Sequence, residues 1–307
     1  MDDKVTISTF QLFKMFPDQE SARTYLESRL WPNGVRCPVC GLGDRITVRR
    51  SAGFYRCNQC KEDFTVRTGT IFERSHVPLH KWLYAMYLLV TSRKGVSSLQ
   101  LSKEIGITQK SAWFVLGRLR EACGSDLKVL TGVVEIDETY VGGKEANKHK
   151  SKKLNRGRGA VGKAAVLGLR ERNGRTVALP IEDADTRNIH AAIIKHVQAG
   201  SVLNTDEAPV YGNLGGLFYG HAAINHSAGE YVRGNVTTNS IESVFAVMKR
   251  GIHGVYHQVS PKHLGRYVNE FTFRLNEGNV KVRTMDRLDS LIAATAHRRL
   301  TYKELTA

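Results

Sequence analysis

Residues 132–137 read GVVEID and residues 201–206 read SVLNTD, two apolar runs of strand length that each close on an aspartate. Acids at the ends of adjacent strands are where a sheet presents ligands to a metal. KAAVLGLR (163–170) and RTVALPI (175–181) also read as strands. The Asn173-Gly174 pair between them is a strong hairpin signal. Helical spacing of apolar residues marks about 186–198, 239–250 and 261–277. This α/β segment is expected over 126–280, with a helical tail at 281–307.

Cys37-Pro-Val-Cys40 and Cys57-Asn-Gln-Cys60 are separated by sixteen residues. Each pair offers two thiolates from one tight turn, and two such turns complete a tetrahedron around one Zn²⁺. With cysteine at all four positions no coordination site stays open, so the zinc is structural. The flanking FYRCNQC and DFTVRTGT suit the short strands of a zinc ribbon, expected with a short helical lead over 1–75. The fifth cysteine, Cys123, reads as an inert packed thiol at a helix end.

Residues 76–125 turn helical. PLHKWLYAMYLLVTSR opens with a proline suited to a first helical turn. Gly106-Ile107-Thr108 then divides SSLQLSKEIGITQKSAWFVLGRLREAC into two helices, the pattern of a helix-turn-helix. In the second, Gln109, Lys110, Ser111 and Arg118 lie outside an apolar stripe of Ala112, Val115, Leu116 and Leu119, as a recognition helix requires. A plain helical hairpin in a bundle is the competing reading. Lys110 and Arg118 are the DNA-contact candidates here.

Lys and Arg number 45 against 29 Asp and Glu, a formal charge of +16 that marks a protein meeting a polyanion. No uninterrupted apolar run reaches the ~18 residues that would suggest a membrane span. The start, MDDKVTISTFQLFKMF, is acidic and then amphipathic, unlike a secretory signal. Cytoplasmic residence and a nucleic-acid partner are therefore expected. The basic stretch 144–163 carries Lys150, Lys152, Lys153, Arg156 and Arg158, placed to contact DNA phosphates.

Residues 239–251, NSIESVFAVMKRG, put a lone acid, Glu242, near a helix start. Asn239 with Glu242 three positions on has the form of a capping box. Yet Ile241, Val244, Phe245 and Met248 make a buried stripe, and Glu242 and Lys249 fall within about 20° of one another on the helix. Acid for metal and base for phosphate would then share one edge. The pattern leaves both readings open. Two aspartates and this glutamate could hold two divalent ions about 3.5–4 Å apart, and oxygen ligands suit Mg²⁺ or Mn²⁺. Glu135, Glu138 and Glu207 only flank the candidates, and strand alternation turns Glu138 from Asp137's face. Glu230 sits in a loop, and His226 reads as a structural hydrogen-bonding residue.

The chain resembles the small zinc-ribbon DDE transposases of bacterial insertion sequences, the ISXO type, which have a ribonuclease-H-like catalytic core. CPVC, CNQCKEDFTVRTGTIFERSHVPLHKW, EIDETYVGGK, NTDEAPVY and HSAGEYVRGNVTTNSIESVFAVMKRGIHGVYHQVSPKHLGRYVNEFTFRLN carry the likeness. It implies an α/β, ribonuclease-H-like core preceded by a zinc ribbon and a helix-turn-helix region. It implies Asp137, Asp206 and Glu242 as catalytic Mg²⁺ ligands, with Lys249 as companion base and Asn239 as a lesser candidate for the last ligand. Arg250 joins the DNA-contact candidates. The implied activity is metal-dependent cleavage and transfer of DNA strands at the element's own ends, by a homo-oligomer on DNA. A zinc-ribbon regulator with an inactive core, or a structure-specific nuclease, are the alternatives.

Overall fold

The computed structural model describes residues 6–49, 51–124, 129–154, 160–212, 214, 216, 218, 220–277, 281–296 and 298–306. In chain order the elements are α1 (Thr9–Met15), α2 (Gln19–Leu30), β1 (Ile46–Val48), β2 (Tyr55–Cys57), β3 (Asp63–Phe64), α3 (Leu79–Thr91), α4 (Ser98–Ile105) and α5 (Gln109–Cys123). Then come β4 (Val133–Val141), β5 (Ala164–Glu171), β6 (Thr176–Ile181), α6 (Thr186–His196), β7 (Val202–Asp206) and β8 (Gly220–Ile224). Last are α7 (Asn239–Gly251), α8 (Pro261–Asn276), α9 (Thr284–Ala293) and α10 (Tyr302–Thr306). The chain divides into two compact units, Met1–Gly124 with Glu277–Ala307, and Ser125–Asn276. Among the described residues no helix is long and apolar enough to cross a membrane.

The first unit holds an antiparallel sheet in the order β1-β2-β3, the strands of the cysteine-bearing region. Its small core joins Cys37, Cys57, Tyr55 and Phe64 to Trp31, whose ring meets those of Tyr55 and Phe64 edge-on. The remainder is helical. α3 is buried along most of its length, and α9 packs on α2 and α3. Between α4 and α5, Gly106 takes a left-handed φ of +62°, which glycine adopts without steric cost. Thr108 caps α5 by accepting from the Ser111 amide.

One sequence expectation for α5 fails. Arg118 does not project from a polar face; it is 5% exposed. Its Nε donates to the Leu300 carbonyl at 3.0 Å, and Nη1 donates to the Ile71 and Glu73 carbonyls at 2.7 and 2.8 Å. The helix wheel misleads here because α10 and the residues before it return to cover that flank of α5. Lys110 stays exposed, its ammonium 4.8 Å from the centre of the Tyr302 ring.

The second unit is a five-stranded sheet in the order β6-β5-β4-β7-β8. β4, β5 and β6 run antiparallel, whereas β7 and β8 are parallel to β4. This mixed sheet, with helices on both faces, has the ribonuclease-H-like arrangement expected. Asn173, at φ +60°, turns the β5–β6 hairpin with Gly174. On one face α6 buries Ile189 and Ile193 against Val134, Ile136, Leu167, Leu169 and Leu203. On the other, α7 and α8 set Ile241, Phe245, Met248, Leu264 and Phe271 against Val141, Val166 and Ala178. The sequence pattern does not mark β8. Its GHAAI is short and poor in β-branched residues, and only Ile224 is fully buried.

Replacing Arg118 with Ala should strand three buried carbonyls and destabilise the first unit by about 2–4 kcal/mol. Thermal melting measures this. The salt slope of DNA binding, which a phosphate contact would lower, should not change.

Candidate functional site

The cysteine pairs form two matching knuckles. Gly41 donates its amide to the Cys37 carbonyl and Lys61 donates to that of Cys57, each at 2.9 Å. Both residues take left-handed φ, +77° at Gly41 and +62° at Lys61. Cys37 and Cys60 sulfurs lie 3.5 Å apart and those of Cys40 and Cys57 3.6 Å. All four fall within 4.8 Å of one another. A tetrahedral zinc with bonds of 2.3 Å sets its sulfurs about 3.8 Å apart, so this cage fits Zn²⁺. The backbone amides of Cys60 and Gln59 hold the Cys57 thiol down at about 6, favouring the thiolate that a metal binds.

The acids come together through strand register. β4 pairs with β7 at Val133–Val202, Val134–Leu203 and Glu135–Asn204. The pairing ends there; carried two residues on, the same offset would bring Asp137 opposite Asp206, whose charge acts on it. Alternation turns both aspartates toward α7, since Val134, Ile136 and Leu203 occupy the α6 face. Glu138 points the other way and accepts from the Tyr211 hydroxyl. Burial raises the Asp137 pKa to about 7, helped by the charges of Glu138, Asp206 and Glu242 and opposed by the Glu138 amide, which donates to its Oδ1. Asp206 accepts from the Ala208 amide at 3.0 Å. Among the described residues no base pairs with either aspartate.

α7 carries the third acid. Close approach of this helix is built into β5, because Gly168 pairs with Asp137 and lies under α7. A Cβ there would come within 2.6 Å of Phe245 Cζ and 2.7 Å of Ile241 Cδ1. The capping box does not form. Thr238 is the N-cap and makes no side-chain cap, and Asn239 is already helical. The Ser240 amide is instead taken by Glu135 of β4. Glu242, its side chain 45% exposed, accepts from the Thr238 hydroxyl at 3.1 Å. His226 Nε2 lies 3.5 Å from the same oxygen, nearer to this acid than its lone place in the sequence indicates. Glu207 secures the turn bearing His226, accepting from the amides of His226 and Ser227 at 3.0 Å each. The Ser227 hydroxyl and these amides hold Glu207 down at about 2.

The acids are less tightly gathered than the sulfurs: among the described residues, only the cysteines form a group of three or more potential ligands within 4.8 Å. Lys249 is half-buried and Arg250 exposed at the far end of α7. Glu230 is held within its own loop, accepting from the Asn225 amide at 3.1 Å and facing Arg233. In the basic stretch Lys150 is exposed and Lys153 half-buried. Arg156, Arg158 and the side chain of Lys152 lie outside the described residues.

Residues 129–276 match the family model of the ISXO2-like transposase domain, and residues 17–63 match that of the transposase zinc-ribbon domain. A protein of Halobacterium salinarum, described as an uncharacterized protein in transposable element ISH50, is 31% identical over 273 residues. That alignment covers 85% of this chain and 92% of the relative. The chain belongs to the ISXO2-like transposase family. Among solved structures, a chain of the simian T-cell lymphotropic virus intasome in complex with PP2A regulatory subunit B56 gamma aligns at 13% identity. The match spans 61% of this chain and 65% of that one, under two thirds, and its TM-score of 0.29 is too low to bear on fold or function.

Two outcomes test these sites. Protein purified under reducing conditions should contain one zinc per chain, and Cys57→Ser should lose it; zinc-free wild-type protein would contradict the cage. Asp137 holds its proton more tightly folded than unfolded, so its contribution to stability is lost as pH rises from about 4 to about 7. In chelator, Asp137→Asn should therefore melt above wild type at pH 8 and level with it near pH 4.

Proposed function

We propose that this transposase binds the ends of its own element and cuts and joins DNA strands there, with Asp137, Asp206 and Glu242 as one acidic centre. The observation carrying the proposal is that Asp137 and Asp206 stand on neighbouring parallel strands, on the face covered by α7, near enough for one charge to act on the other. The donor set fits hard divalent cations: every candidate ligand is a carboxylate, and Asp137, whose pKa is raised chiefly by burial and further by the charges of Glu138, Asp206 and Glu242, is an acid that a cation would favour in its charged form. Two Mg²⁺ or Mn²⁺ ions held by these three residues would supply activation of the attacking oxygen and stabilisation of the leaving one.

The protein's own contributions follow from placement. Asp137, protonated to about pH 7 where it is buried, would have to be ionised to hold a cation. Glu242 reaches the centre from the first turn of α7, and Lys249 and Arg250, further along that helix, hold backbone phosphates. Lys110 and the basic residues of 144–163 add phosphate contacts that bind without reading sequence. Water attacks the phosphodiester at the element end and frees a 3′-hydroxyl. That hydroxyl then attacks a target phosphodiester, displacing the target strand's own 3′-oxygen, so no covalent enzyme intermediate is required. Pairing two ends calls for at least two copies of the chain on DNA.

The test is Glu242→Gln, which keeps the shape of the side chain and removes its charge. Because Glu242 caps nothing, melting and DNA binding should remain near wild type, while Mg²⁺-dependent cleavage and joining of the element's ends fall by several orders of magnitude. Cleavage at close to the normal rate would remove Glu242 from the centre. Cleavage without joining in the wild-type protein would favour a nuclease.

A further inference from the structure

We infer that Glu135 and Asn204 form a positioning layer beneath the acids, fixing the start of α7 and so placing Glu242. The inference rests on reading Asp137, Asp206 and Glu242 as one metal site. Glu135 and Asn204 are register partners on β4 and β7. Each lies two residues before an aspartate of the centre, on the same face of its strand. Both are deeply buried, at 1% and 2% exposure.

A buried polar side chain needs partners, and theirs converge on one segment, 235–240, with Arg172 of the β5–β6 turn bridging to it. Glu135 Oε2 accepts from the Ser240 amide at 2.9 Å and from its hydroxyl at 2.5 Å. Its other oxygen accepts from Arg172 at 3.2 Å, and Arg172 also donates to the Asn235 carbonyl at 2.7 Å. Asn204 Nδ2 lies 3.5 Å from the carbonyls of both Asn235 and Thr237. The sheet thus grips the lead-in to α7 from both of the strands that bear aspartates.

The grip is where a helix most needs it. The first amides of a helix have no intrahelical acceptor, and Thr238 supplies none from its side chain. A carboxylate from β4 fills that place with a charge-assisted hydrogen bond, favoured further by the positive end of the helix. Glu242 stands two residues beyond Ser240. The two strands thus link the aspartates to the glutamate: the residues at 137 and 206 would hold the metal, and the facing pair two residues before them, Glu135 and Asn204, holds the helix that completes the site. The spacings Glu-x-Asp in β4 and Asn-x-Asp in β7 are its sequence trace.

The test uses the zinc-loaded full chain and two readouts independent of DNA cleavage: Mn²⁺ binding by electron paramagnetic resonance, and amide hydrogen exchange at residues 240–242. Glu135→Ala should raise the half-saturating Mn²⁺ about 10–100-fold, as losing a partner that orients a metal ligand does, and speed exchange at those amides. Asn204→Ala should do so more weakly. Glu135→Gln, which keeps one acceptor for Ser240, should recover part of both effects. Lower melting with unchanged Mn²⁺ binding and unchanged exchange would make Glu135 a stabilising residue only and overturn the inference. Complete loss of Mn²⁺ in Glu135→Gln, equal to that in Asp137→Asn, would make it a ligand and overturn it too. If Glu135→Ala does not fold, Asn204→Ala carries the test, and no change in either readout would sink the inference. Normal Mn²⁺ binding by Asp137→Asn would instead discredit the metal site, while exchange would still decide the anchoring.

Discussion

The parallel pairing of β4 with β7 is the constraint on which the acidic centre depends. A slip of one residue would turn every side chain of a strand to the opposite face, sending an aspartate into the apolar layer under α6. Val134, Ile136 and Leu203, all fully buried, prevent that slip. Each contributes on the order of 1.5–3 kcal/mol by burial. Two facing carboxylates oppose the same register, and the conflict is eased because Asp137 keeps its proton to about pH 7. Apolar burial on one face thus holds together an arrangement that electrostatics on the other face disfavours until a cation is present.

The helix that brings the third acid is governed from the same strands. Gly168 leaves room for Phe245 and Ile241 to sit against the sheet, which sets the height of α7. Glu135 takes the Ser240 amide, which sets its near end. Glu242 is left free of capping duty, and among the described residues Thr238 and His226 are the side chains bonded or paired to its carboxylate. An acid that no Lys or Arg neutralises and its own helix does not need is available for a ligand.

Local pattern carried much of this into the sequence. Cysteine spacing announced the ribbon, because a metal cage depends on short-range turn geometry. Strands bearing Asp137 and Asp206 were legible from composition, and the helices at 186, 239 and 261 from period, but β4 does not end on Asp137 as its apolar run suggests: pairing with β5 carries it on to Val141. What the sequence could not carry was the identity of distant partners. Arg118 looked like a surface base because Leu300, whose carbonyl it binds, lies 182 residues away. The capping box at Asn239 stayed an open alternative to a metal ligand because its competitor, Glu135, lies 105 residues from Ser240. β8 has too few apolar residues to declare itself, and takes its strand form from pairing with β7.

Anomalous scattering from crystals grown with Mn²⁺ tests the central claim most directly. The account predicts a Mn²⁺ peak bounded by carboxylate oxygens of Asp137, Asp206 and Glu242 at about 2.0–2.2 Å, with Glu242 drawn off Thr238. A peak completed by Asn239 or Glu230 while Glu242 stays on Thr238, or no peak beside Asp137 and Asp206, would contradict it.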